Sequence, residues 1–367
     1  MKIFYFIFIA SIILVSCEQR GKIKNRKSNL SELKYHLQAK DSISFHLDSV
    51  TSYFFVASEY NKKMNIYSFL FNKSILLYDY DSQHFLKKIE INSLHPTSYT
   101  IKDLDSILVF DYDQNEILLA DSVGHFYKRI KVDNNIPYYP APIVKTAPII
   151  LNENNIIFWG NMGGEYADED SLNRKLMGNV DMQSGKTSYQ VSYSDVYKYK
   201  NWGGGLYRWI YVDYNSLIDK FIISFPADHN IYTISSKGNY CETYYAGSKF
   251  IDAIYYERDI SKYLDSEERT RFFAENNSYA NIMYDPYNNI YYRIAEMKTI
   301  YEGKMGWQKD ISVIILDTSF NIIGETFIGK CNPNYRYAMF VNEYGLHIPQ
   351  KTSEDVLQFR RYKLCIE

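Results

Sequence analysis

The sequence predicts an all-β protein, a β-propeller of six blades with one short helix inserted between two of them. Three observations predict it. Units rich in β-strand residues recur along the chain, polar turns fall at matching places in them, and the composition favours strands. Of 367 residues, 37 are tyrosine and only 9 are proline. Tyrosine suits strands and half-wet surfaces, because its ring is apolar and its hydroxyl is not. Units of this kind at a period of about 40 to 50 residues mark propeller blades. One four-stranded sheet cannot bury both faces, whereas a ring of sheets buries each between two neighbours.

The chain opens with Lys2 and an uncharged apolar run, Ile3 to Val15. That run is too short for a membrane span, which needs about 20 apolar residues, and reads as an export signal over residues 1–16. Leu14-Val15-Ser16-Cys17 resembles the bacterial lipobox, in which the cysteine is diacylated and becomes the first residue of the mature protein. Residues 17–40 are then expected to be a flexible tether, because 18–30 are basic and polar without a hydrophobic period. Clustered Lys and Arg there can also touch anionic headgroups. The propeller domain is expected over 41–367.

The repeat is clearest in two segments. Ser74-Ile-Leu-Leu-Tyr-Asp-Tyr-Asp81 is followed by His84–Ile91, and Ser106-Ile-Leu-Val-Phe-Asp-Tyr-Asp113 by Glu116–Ala120 and His125–Val132. Looser copies follow at Ile156–Trp159, Phe221–Phe225, Asn289–Arg293 and Gly345–Ile348, each with further strands behind it. The polar turns Asp121–Gly124, Asp181–Gly185 and Ser236–Gly238 supply the Asp, Ser and Gly that hairpins require. Six copies leave each unit long for a blade, so seven blades is the competing count. The strand near Ile43–Leu47 is placed against the last blade, closing the ring. Residues Asp259–Asn276 break the β pattern. Ser266 before Glu267-Glu268 reads as a helix start, and Leu264, Phe272 and Phe273 share one stripe.

The lipobox, the basic segment, the Tyr-Asp strands and the stretch Ser278-Tyr-Ala-Asn-Ile-Met-Tyr-Asp-Pro-Tyr-Asn-Asn-Ile-Tyr-Tyr-Arg293 together resemble an uncharacterised family of Bacteroidetes lipoproteins. Those proteins carry six-bladed, TolB-like propellers. The resemblance implies a propeller and an exported lipoprotein of the outer membrane, on its periplasmic or its surface face. It implies no activity, and the fold hosts unrelated functions.

Chemistry-bearing motifs are sparse. A net charge of −2 provides no broad field for nucleic acid. The seven histidines are scattered without zinc spacing, and no P-loop or Gly-x-Ser-x-Gly elbow occurs. Asp111-Tyr-Asp113 resembles the start of a calcium loop, but Asp79-Tyr-Asp81 sits at the same point of the other copy, which reads as a turn device. Asp168-Glu169-Asp170 reads as a solvated loop. Cys331 and Cys365 pair if the last strands lie together; otherwise they and Cys241 are expected to be buried thiols.

The site candidates are two glycine–aromatic loops, Phe158–Glu165 and Asn201–Trp209, in consecutive units. Trp159, Trp202, Tyr207 and Trp209 offer flat faces and Arg208 a planar donor fork, a set suited to a sugar ring or an aromatic peptide. The competing reading makes the same rings inter-blade packing. No catalytic residue, metal ligand or cofactor is assigned. The expected partners are a membrane through the lipid at Cys17 and an envelope protein or glycan. The expected function is a non-enzymatic binding module of the cell envelope. A glycoside hydrolase or lyase on the same scaffold, and a structural subunit of an envelope complex, are the alternatives.

Overall fold

A computed structural model of the chain describes residues 20–26, 33–47, 57–133, 140, 142, 145–152, 154–160, 174–238, 241–260, 262, 264–303, 308–331, 335–350 and 355–366. The expected signal segment 1–16, Cys17 and the acidic run Asp168–Asp170 lie outside the described residues. The protein is mostly β, a propeller-like ring of sheets with few helices.

Four sheets have four antiparallel strands each. The first is built from Ser58–Asn61, Ile66–Phe71, Ser74–Asp79 and Phe85–Glu90; the second from Pro96–Asp103, Ser106–Asp111, Glu116–Ala120 and Phe126–Lys131. The third holds Ile150–Asn152, Asn155–Trp159, Met177–Asp181 and Thr187–Gln190; the fourth Tyr211–Asn215, Lys220–Ser224, Asn230–Ser235 and Glu242–Tyr245. Arg20–Lys24 and Ala253–Glu257 form a two-stranded sheet, and eight further strands form one larger sheet. Its first half runs Ser278–Asp285, Ile290–Glu296, Asp310–Leu316 and Ile322–Lys330, and its second half Tyr35–His46, Val356–Ile366, Gly345–Pro349 and Phe340–Asn342. The halves meet in one parallel bridge, Tyr35 to Gly324. A Cβ on Gly324 would lie 2.1 Å from the Tyr35 carbonyl oxygen, so only glycine allows that approach.

Alternation along the middle strands explains the ring. Ile107 and Val109 pack with Ile75, Leu77 and Ile89 of the first sheet. Their neighbours Leu108 and Phe110 pack with Ile156 and Phe158 of the third. One strand thus feeds two cores through its period of two, and reads as a continuous apolar run. The third, fourth and fifth units share one cluster that includes Trp159, Phe221 and Tyr291. Within the eight-stranded sheet, Tyr292 and Ile294 face Leu346 and Ile348. Phe340, Phe359 and Phe45 then pack on Tyr67 and Tyr78 of the first sheet. The strand at Ile43–Leu47 does lie against the last unit: Ser42–His46 pair antiparallel with Arg360–Val356, fastening the two chain ends together.

The Tyr-Asp-Pro-Tyr stretch has a physical role. Asp285 accepts from the Tyr287 and Asn288 amides at 2.9 and 3.0 Å, closing the turn between two strands. Arg293 is fully buried and donates to the carbonyls of Asp228, His229, Ala246 and Phe225, and to Ser224 Oγ. Its guanidinium lies 3.8 Å from the centroid of the Tyr279 ring. One side chain therefore satisfies the turn of the fourth sheet from the fifth.

Several expectations need correction. Residues 20–24 are not a tether: Arg20–Lys24 pair antiparallel with Glu257–Ala253. Gly21 lies against the Tyr256 ring with no room for a Cβ, and the Ile23 carbonyl lies 3.3 Å from His229 Nε2. Asn25 Nδ2 reaches the Ser248 and Ile251 carbonyls at 2.7 Å. The expected tether also contains the start of the strand Tyr35–His46. The two look-alike Tyr-Asp segments are not equivalent either, since Ser74–Asp79 is third in its sheet and Ser106–Asp111 is second. Both middle strands of a sheet are covered on two faces and end in a turn, so local sequence does not reveal their rank. Asp111 is a turn acceptor, bound by Leu94 N and Gln114 N at 2.9 Å and by Ser93 Oγ.

Helix α1, Ser266–Ala274, starts at the expected place, but its cap is Asp265, reciprocated by Glu268. Leu264, Phe272 and Phe273 are buried beneath it. Cys331 and Cys365 are not bonded to each other, and Cys241 is exposed rather than buried.

Candidate functional site

The described first strands of the sheets, with the segments leading into them, surround a cavity of about 360 Å³. It is lined by Glu59 and Tyr60 from the first sheet, Thr100 from the second, Lys145 before the third, Asp213 from the fourth, and Asn281 and Arg336 from the eight-stranded sheet and helix α2, Tyr335–Ala338. Every unit of the ring contributes, so this is its centre.

The charges of this wall are unevenly matched. Lys145 Nζ is paired with Glu59 Oε2, and Thr100 Oγ1 donates to the same oxygen at 2.9 Å. Burial pulls Lys145 down, while Glu59 pulls it back up. The ammonium sits 4.6 Å from the Tyr99 ring centroid. Arg336 is paired with Glu296 behind the wall. Glu296 also accepts from Ser278 Oγ, and Ser278 accepts from Lys309 Nζ at 2.8 Å. Burial lowers Lys309 to about 7, against the attraction of Glu296. Ser278 and Lys309 have the composition of a nucleophile–base pair, but they are fully buried and line none of the described cavities.

Asp213 is different. Its two oxygens accept only from backbone amides, Tyr214 N at 2.8 Å and Tyr284 N at 2.6 Å. Among the described residues no cation pairs with it, and burial raises its pKa to about 6 against those two hydrogen bonds. The strand that holds Asp213 through the Tyr284 amide, Ser278–Asp285, shifts its register against Ile290–Glu296 between Tyr279 and Ile282. That bulge aims Asn281 at the cavity. Asn281 Nδ2 donates to the Arg336 carbonyl at 2.9 Å, and its Oδ1 is buried without a partner among the described residues. Among the described residues, the wall therefore holds one carboxylate without a cation, Asp213, and one buried acceptor without a partner, Asn281 Oδ1.

The sequence-predicted residues are placed elsewhere. Trp159 is 2% exposed and packs on Phe221, ring centroids 5.1 Å apart. Trp202 is buried among Tyr197, Tyr207 and Tyr256. Tyr207 packs on Phe272 and Phe273 of helix α1 and donates to the Asn277 carbonyl at 2.6 Å. Arg208 is buried, and its carbonyl accepts from the Tyr193 hydroxyl. Trp209 is half-buried against Tyr337, which itself lines the cavity. Trp159 and Trp202 do share one apolar cluster, but their faces are covered by protein. Among the described residues, Trp159, Trp202, Tyr207 and Arg208 are buried and Trp209 is half-buried, which is the arrangement that the packing reading expects. Gly203, Gly204 and Gly205, at φ of 69°, 67° and 47°, fold the loop so that its rings turn inward. Of Phe158–Glu165, residues 161–165 lie outside the described residues.

The residues that do line the centre went unread. Glu59, Lys145, Asp213, Asn281 and Arg336 lie on short strands and connections far apart in sequence, and no motif links them.

The model of a family described as "Domain of unknown function (DUF4221)" matches residues 34–327. The chain belongs to the DUF4221 family. Its fold is shared with the crystal structure of a DUF4221 member from Bacteroides vulgatus ATCC 8482, which is 20% identical. That alignment covers 92% of this chain and 100% of the other, with a TM-score of 0.77. A structure described as streptogramin B lyase also aligns, at 10% identity, over 91% of this chain and 98% of the other, with a TM-score of 0.45. No curated protein matches the DUF4221 chain.

Proposed function

We propose that this DUF4221 protein is an exported, lipid-anchored binding module of the cell envelope, and that its central cavity takes a small ligand carrying an ammonium group or comparable N–H donors. On this reading it is a six-bladed propeller, the eight-stranded sheet being two blades joined at the Tyr35–Gly324 bridge. Cys17 is the acylated residue, and the outer membrane is the site suggested by the family resemblance. The observation that carries the ligand class is Asp213. Glu59 is matched by Lys145 and Arg336 by Glu296, and Asp213 lines the cavity with no cation among the described residues. A ligand ammonium supplies that charge, and a further donor suits Asn281 Oδ1.

A second reading is favoured by one fact: two carboxylates, Glu59 and Asp213, line the same cavity, and burial raises Asp213. A raised acid beside an ionised partner is the pattern of glycoside hydrolysis. Glu59 already accepts from Lys145 and Thr100, which leaves it less free as a nucleophile, so binding is preferred.

Calorimetric titration with glucosamine and its neutral N-acetyl derivative separates these readings. Binding of the amine alone at pH 7.5, lost in Asp213→Asn, supports the module. Equal affinity for both sugars, or amine binding that persists in Asp213→Asn, contradicts the proposed ligand class. Turnover of an aryl glycoside, lost in both Glu59→Gln and Asp213→Asn, would establish the enzyme.

A further inference from the structure

The first described strand carries a charge pattern that the central cavity does not use. In Arg20–Lys24 the exposure alternates: Arg20, Lys22 and Lys24 are exposed, while Gly21 is buried and Ile23 half-buried. Three cations therefore stand in a row on the outward side of one short strand. The inward side is fastened by the pairing with Ala253–Glu257 and by the close fit of Gly21 over Tyr256. Arg20 also reaches the Phe272 ring, 4.9 Å to its centroid. The ridge is thus a fixed feature of the ring.

Its place in the ring follows from the topology. Connections from the last strand of one sheet to the first strand of the next, 191–210 and 246–277 among them, emerge at one end of a propeller. Turns that join first to second strands, such as 216–219, emerge at the other. The ridge is paired with 253–257, and Asn201 of the neighbouring connection bridges to Glu257. It belongs to the first end, where Lys200 Nζ also lies 5.5 Å from the Tyr256 ring centroid.

Cys17 precedes Arg20 by three residue steps, which reach at most about 10 Å when fully extended. We infer that, with Cys17 acylated, this end of the ring faces the bilayer and the Arg20–Lys22–Lys24 ridge rests on anionic lipid headgroups. The inference rests on the lipid-anchor reading. A tether this short cannot hold the far end of the ring at the membrane. Each Lys or Arg near an anionic surface strengthens the attraction about fivefold, so the ridge orients what the acyl chains hold. The anchored protein would then stand with helix α1 and the 191–210 connection toward the lipid, and with the 216–219 turn away from it.

The test uses the acylated full chain in a background with Cys241→Ser and Cys365→Ser. A donor dye is placed at Tyr199→Cys or at Leu217→Cys, positions 79% and 76% exposed at opposite ends of the ring. Energy transfer to acceptor-labelled headgroups is read in phosphatidylcholine vesicles with and without phosphatidylglycerol. Transfer from position 199 is expected to exceed that from 217 at least twofold on anionic vesicles. The ratio is expected to fall, while staying above one because the tether is short, on neutral vesicles and in Lys22→Gln/Lys24→Gln. A ratio near one on anionic vesicles overturns the orientation, and one unmoved by the double substitution overturns the headgroup contact. Failure of Cys17 to incorporate labelled fatty acid overturns the anchor and the orientation together.

Discussion

The aromatic cap around Trp202 and the wall of the central cavity are both assembled from sheet connections and strands, yet the first is covered by protein and the second is left open. In the cap, Tyr207 and Tyr197 place their hydroxyls on carbonyls at 2.6 and 2.7 Å, and the rings close over one another and over the Trp202 indole N–H, which has no partner among the described residues. In the wall, Asp213 lines an open cavity with no cation among the described residues. A region whose rings are covered by protein is built for stability. A region that leaves a carboxylate without a cation gives up stability for something it can bind.

Breaking the cap is expected to have the largest effect. Trp202→Ala removes a buried ring from the Tyr197, Tyr207 and Tyr256 contacts and should cost about 4 kcal/mol in urea denaturation. A loss below about 1 kcal/mol would show that the ring is not core, and would revive it as a recognition surface. Cavity substitutions should cost less. Lys145→Met leaves Glu59 without its cation and should cost about 2 kcal/mol at pH 7. Adding Glu59→Gln should recover part of that loss, and a double-mutant cycle with no coupling would dissolve the pair.

The contrast also explains what could be read from the chain. Strands such as Ser106–Asp111 are covered on both faces, so their apolar runs and terminal Asp stand out. The ring and the inserted helix were therefore legible. The order of strands within a sheet was not, because second and third strands share that environment. The glycine–aromatic loops were visible as unusual, but Gly and Trp look the same whether the rings face ligand or core. Only the burial of Trp202 and Tyr207 in the folded chain decides it. The cavity had no local signal at all. Glu59 and Asp213 are single acids in short inner strands, and ring closure alone brings them to one wall. Arg20–Lys24 looks like a tether in the sequence because five residues are too few to display a strand period among so many cations.

The smallest expected effect is the most direct test of the wall, because it asks whether Asp213 is held there at a cost. Its folded pKa of about 6 lies above the unfolded value near 3.8, so the folded state binds the extra proton between those values. Its contribution to stability is full below pH 3.8 and is lost as pH rises through 6. Asparagine keeps the shape and removes the charge. Chemical denaturation of the parent and Asp213→Asn across pH 4 to 8 should give nearly equal stabilities at pH 4 and a variant about 1 kcal/mol more stable at pH 8. That is less than the roughly 3 kcal/mol of the full shift because the half-buried carboxylate is screened by water. A variant that is less stable at pH 8, or a difference that does not change with pH, would mean that the carboxylate is already satisfied and that the cavity keeps no charge in reserve for a ligand.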